Sequence, residues 1–174
     1  MGQELVARSG DAPTPLWATR VMMDHPGLVQ AIHADYFAAG ATVATTNTYA
    51  IHHDRLVHQG LDHLFHGLHL RALTEAVEAR DAHGSGLIAA SFGPLVATYR
   101  PEVTPPLAEA AGKFAEIAAL LAPHVDVSAM PPPLRPNTQK SWNAHEWLSN
   151  PKSQTIHPNT SPLQTAAFRL AHPL

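Results

Sequence analysis

Histidine is the most abundant titratable side chain here. Of 13 histidines, six fall within eighteen residues: His52, His53, His58, His63, His66 and His69. Neutral imidazole is a general-purpose ligand for zinc, copper and iron, so one reading is a His-ligated metal hydrolase. The spacing gives that reading little support. On a helix His63 and His66 are three apart and could share a face. Only His52 and His53 fall at a strand end, so a solvated, histidine-rich helix surface is the plainer expectation. Cysteine is absent from all 174 residues, which excludes a disulfide framework, a thiolate nucleophile and a Cys-ligated zinc in this chain.

A second set of polar residues follows two short segments that read as strands. Thr42-Val43-Ala44-Thr45-Thr46 is β-branched and fits a buried strand, and Asn47-Thr48-Tyr49 comes next. Gly86-Leu87-Ile88-Ala89-Ala90-Ser91 reads as another, followed by Phe92-Gly93-Pro94. Asn and Thr also favour turns for local hydrogen-bonding reasons, and a Gly-Pro loop has a purely conformational explanation.

Helices are expected between these strands. Asp24 suits an N-cap with Pro26 in the first turn, after which Leu28, Ile32 and Tyr36 recur every four residues until Gly40. Leu61, Leu64, Phe65, Leu68, Ala72 and Ala76 keep a helical period until residues 82–86 break it. Thr104-Pro105-Pro106 opens a third helix carried by Leu107, Ala110, Ala111, Phe114, Ile117, Ala118 and Leu121, and His124-Val125-Asp126-Val127 begins a third strand. Strands alternating with long helices predict βαβ units, a parallel sheet and right-handed crossovers.

The chain is 45% hydrophobic with net charge −3, normal for one globular domain. Its two parts differ, however. All 10 glycines lie in residues 1–127, where 7 Lys+Arg face 13 Asp+Glu. Residues 128–174 carry 8 of the 16 prolines and 4 basic residues against 1 acidic, and no apolar period persists there, so they are expected to be a Pro-rich irregular tail. No basic stripe with interleaved aromatics points to nucleic acid. No apolar run approaches the roughly 20 residues needed to span a bilayer, and Met1-Gly2-Gln3-Glu4-Leu5 offers no cationic region followed by an apolar one, which makes a cytoplasmic location the expectation.

Five segments, in order, carry a resemblance: Leu16-Trp17-Ala18-Thr19-Arg20, Asp24-His25-Pro26, Ala41 to Tyr49, Ser91-Phe92-Gly93-Pro94-Leu95 and Tyr99-Arg100-Pro101. Together they resemble the homocysteine S-methyltransferase family over residues 1 to about 127, and Met1-Gly2-Gln3-Glu4-Leu5 is similar to the family's first loop. The resemblance implies an α/β fold, a partial (β/α)₈ TIM barrel of about three βα units. It implies methyl transfer from a sulfonium, ammonium or folate donor to the thiol of homocysteine, giving methionine. A thiol with a pKa near 8.5 is a weak acceptor at neutral pH, and the family uses zinc held by three cysteines to generate the thiolate. Asn47, Thr48, Tyr49, Ser91 and Gly93 match the family's substrate-facing loops, and homocysteine and a methyl donor are the implied partners.

Departures from the family pattern set further expectations. The family's Asp-Gly-Gly and first strand would lie before Met1, Ser128-Ala129-Met130-Pro131 stands where its Glu-Thr should follow Val127, and no zinc-binding cysteine has a counterpart. The chain is therefore expected to be inactive by itself: either a non-catalytic remnant or a half barrel that self-associates through its open side. The change of composition near Val127 suggests a shifted reading frame.

Overall fold

A computed structural model describes residues 1–97 and 100–129. Tyr99 of the resemblance and the expected tail from residue 130 onward lie outside the described residues. Three short strands, β1 (Val43–Thr45), β2 (Leu87–Ser91) and β3 (Val127–Ala129), form one parallel sheet in the order β1-β2-β3. Ala44 pairs with Ile88, Ala89 with Val127 and Ala90 with Ser128. Helices α1 (Gly2–Ser9), α2 (Trp17–Asp24) and α3 (Leu28–Ala38) precede β1. The short α4 (His53–Leu56) and the long α5 (Phe65–His83) link β1 to β2, and α6 (Leu107–Leu121) links β2 to β3.

Alternation along the strands divides the sheet into two faces. Ala44, Ile88 and Ala90 point into the core with Ile32 and Phe37 of α3, Leu68, Ala72 and Ala76 of α5, and Ile117 and Leu121 of α6. Each large side chain buried there contributes about 1.5–3 kcal/mol. On the other face Leu87 and Val127 remain 46% and 37% exposed. The aspartate before β3 adds a link that the ladder itself does not supply: Asp126 Oδ2 accepts from the Ile88 N–H at 2.8 Å while the Asp126 N–H donates to the Ile88 carbonyl.

Several boundaries differ from the sequence expectation. Residues 1–24 hold two helices, and Met1 to Leu5 is mostly helix rather than a loop. Asp24 ends α2 instead of capping α3, whose N-cap is Gly27 at φ 84°. Glycine has no capping side chain, and the need is met from α5: buried Glu75 accepts from the Gln30 N–H at 3.1 Å. Tyr36, expected on the apolar stripe, is exposed, and Val29, Ile32, His33 and Phe37 form the buried face. The expected helix from Leu61 starts with a 3₁₀ turn at Asp62–Leu64 before α5. The helix expected from Thr104 begins at Leu107, because Pro106 caps it in an extended conformation. A 3₁₀ turn at Ala122–His124 delays β3 to Val127.

Candidate functional site

The loops that leave the C-terminal ends of β1 and β2 are tied together by a closed ring of hydrogen bonds. The Ser91 N–H donates to Thr46 Oγ1 at 3.2 Å, Thr46 Oγ1 lies 2.8 Å from Thr48 Oγ1, and Thr48 Oγ1 donates to the Ser91 carbonyl at 2.6 Å. Because Thr48 gives its proton to Ser91, Thr46 must donate to Thr48, and the ring has one direction. Thr46 and Thr48 are both buried. Their hydroxyls fix the two loops in register, and the hydroxyl proton of Thr48 is committed to Ser91.

Asn47, also buried, turns its amide away from the ring. Nδ2 donates to the Ala18 carbonyl at 3.2 Å and lies 3.9 Å from Met22 Sδ, so α2 holds this side chain. Tyr49 and Gly93 meet backbone to side: a Cβ on Gly93 would overlap the Tyr49 carbonyl oxygen outright and stand 3.0 Å from its carbonyl carbon. Only glycine permits that approach. Arg55 of α4 donates to the Pro94 carbonyl at 3.2 Å, a second bridge between the loops. Burial pulls the Arg55 guanidinium pKa below its ordinary value, with Tyr49 and Asp54 opposing.

The five residues singled out from sequence thus gather at one end of the sheet, on two adjoining loops. Sequence reasoning missed Thr46, whose role depends on the β1–β2 register, and Arg55, which belongs to a four-residue helix. The strand-end position of Thr46 was the available cue.

The histidine-rich stretch divides by burial, correcting the expectation of a wholly solvated surface. His58, His63 and His66 are exposed, but His52 and His69 are core residues, as is His33 on α3. Neither ring nitrogen of His52 has a hydrogen-bond partner, although the Tyr49 backbone is near enough to favour its charged form slightly. His69 Nδ1 donates to the Phe65 carbonyl at 2.9 Å and its Nε2 is unpartnered. Burial pushes the pKa of His52 down to about 3 and those of His33 and His69 down to about 4.

Among the described residues no group of three or more His, Cys, Asp or Glu is arranged to hold a metal ion, which removes support from the hydrolase reading. With no thiolate donor in the sequence, the residues present do not fit the zinc implied by the resemblance. A shallow cavity of about 380 Å³, lined by Phe37, Thr42, His83 and Gly86, lies at the opposite, N-terminal end of the strands, where barrel proteins carry stability rather than catalysis. No helix among the described residues is long and apolar enough to cross a membrane.

Residues 1–131 match the family model described as homocysteine S-methyltransferase. The chain is 32% identical over 102 residues to the homocysteine S-methyltransferase of Escherichia coli (strain K12). It is 33% identical over 109 residues to homocysteine S-methyltransferase YbgG of Bacillus subtilis (strain 168). Each match covers 54% of this chain and 33% of the relative, so the aligned part spans about a third of these relatives' length. Among solved structures, the metallated form of the E. coli homocysteine methyltransferase MmuM superposes with a TM-score of 0.65 at 25% identity, covering 74% of this chain and 50% of that one. Its oxidized form gives 0.62 at 28% identity, covering 74% and 49%.

Proposed function

Because the chain belongs to the homocysteine S-methyltransferase family, we propose that residues 1–127 are part of a homocysteine-binding (β/α)₈ barrel, about three βα units of it. In this reading the loops after β1 and β2 receive the amino-acid end of homocysteine. Tyr49 and Ser91 supply the polar surface there, and Asn47 fixes the turn by anchoring it to the Ala18 carbonyl of α2. Thr48 acts through the ring that fixes Ser91, and Gly93 acts by letting the Tyr49 backbone close over it. The observation that carries the assignment is the convergence of these residues at the C-terminal ends of adjacent parallel strands, the end where barrel enzymes build their sites.

The reaction of such a barrel is transfer of a methyl group from a sulfonium, ammonium or folate donor to the homocysteine thiol, giving methionine. This chain alone does not complete it, since it holds no donor set that would convert the thiol to a thiolate. Two measurements test the reading separately. Incubation of the purified chain with homocysteine and S-methylmethionine is expected to give no methionine, and turnover would overturn the claim of inactivity. Titration of the ¹⁵N-labelled chain with homocysteine is expected to shift the amides of residues 47–49 and 91–93. Shifts confined elsewhere, or none at millimolar homocysteine, would remove the site assignment.

A further inference from the structure

Two carboxylates from different elements face the two ring nitrogens of His53. Nδ1 lies 2.5 Å from Asp62 Oδ1 in the turn before α5, and Nε2 lies 3.3 Å from Glu116 Oε2 on α6. The Phe65 ring closes one face of the imidazole, its centroid 3.8 Å away and its plane tilted by 15°. A neutral imidazole has one N–H and one lone pair, so it would always turn a lone pair toward one of these carboxylates. The imidazolium donates to both. We propose that His53 is a protonation-dependent latch that holds α4, and through it the Asn47–Tyr49 turn, against α5 and α6.

The surroundings favour the charged form. On α4 itself, Asp54 pairs with Lys113 of α6 at 2.6 Å, and Lys113 also meets Glu109 at 2.9 Å, so that lysine is already engaged. From α5, His66 approaches the same Glu116 at 3.7 Å, and buried His69 packs on the other ring contact, Phe65. Desolvation alone would lower the His53 pKa, but the bonds to Asp62 and Glu116 outweigh it and raise the value above 6.5. A raised pKa in the folded state means that the latch is closed at and below pH 6.5 and is lost as pH climbs through the raised value. Only Ala50, Ile51 and His52 separate the turn from α4, and Arg55 ties the same helix to Pro94, so release loosens both loops.

The test uses the full chain and needs no substrate, so its outcome is independent of the methyltransferase reading. Imidazole ¹H–¹⁵N spectra are recorded across pH 5–9, together with amide exchange of Leu56, whose N–H donates to the His52 carbonyl at 3.0 Å. His53 is expected to titrate above 6.5. Protection of Leu56, corrected for intrinsic exchange, is expected to fall through that pKa by tenfold for each unit of elevation. Glu116→Gln should lower the His53 pKa, and His53→Gln should flatten the pH dependence of Leu56. Titration of His53 at or below 6.5, or an unchanged Leu56 profile in either variant, would overturn the latch.

Discussion

Gly93→Ala is expected to be severe, although it adds a single methyl group. The new Cβ would occupy the space of the Tyr49 carbonyl oxygen and stand 3.0 Å from its carbon and 3.2 Å from Cδ1. Backbone is the obstacle, so one loop must retreat by about an ångström, a strain of the kind that costs about 1–3 kcal/mol in a packed interior. The retreat also pulls on the bonds that join Ser91 to Thr46 and Thr48, each contributing about 1 kcal/mol. The expected loss is about 3 kcal/mol, or a fall in Tm of roughly 10 °C for a domain of this size. Gly112→Ala provides the opposite sign. That glycine lies inside α6, and a Cβ there meets nothing within 4 Å, so removing its conformational freedom should stabilise by about 0.5–1 kcal/mol. Urea and thermal unfolding followed by circular dichroism measure both. A Gly93→Ala protein within about 1 kcal/mol of the parent would refute the close crossing of the two loops.

Acid should unfold the domain early. His33, His52 and His69 have folded pKa values near 4, 3 and 4, against about 6.5 when unfolded. The unfolded chain therefore binds more protons, and their contribution, complete above pH 7, is lost as pH drops through 6.5. At pH 5 the loss is about 2 kcal/mol for each as an upper figure, seen as a falling urea midpoint; a midpoint constant from pH 7.5 to 5 would contradict their burial as neutral groups. Val96 is β-branched at φ 63° in a tight turn closed by the Ala97 N–H to Leu95 carbonyl bond of 2.8 Å. Val96→Gly should raise stability by about 1 kcal/mol, because glycine adopts positive φ without the Cβ clash that strains such a turn, and equilibrium denaturation that shows no gain would mean the strain is absent.

The alternation β1–α5–β2–α6–β3 was legible because its signals are local. Leu68, Ala72 and Ala76 sit on one stripe of α5, Ile117, Ala118 and Leu121 on one stripe of α6, and all six are buried. The start of α3 was not legible for the opposite reason. Asp24 and Pro26 mimic a capped first turn, while the group that satisfies the Gln30 amide is Glu75, 45 residues away. The eight-residue α1 and α2 carry no side-chain cap to announce them. At the site, the turn residues could be named from the sequence, but the ring could not, since it exists only once Ser91 is aligned beside Thr46. The burial of His52 and His69 is likewise a tertiary fact, invisible in a run of residues where their histidine neighbours face water.

The order of the strands in the sheet is also their order in the chain, and paired strands lie about 40 residues apart. A ribosome adding about 5–20 residues per second takes several seconds to deliver each next strand, longer than many mixed α/β domains need to fold. The β1–α5–β2 unit can thus assemble while β3 is still being synthesised, and the newly formed edge of β2 then serves as the template on which β3 is laid. Synthesis and sheet assembly run in the same direction, so no later strand has to insert between two that are already paired.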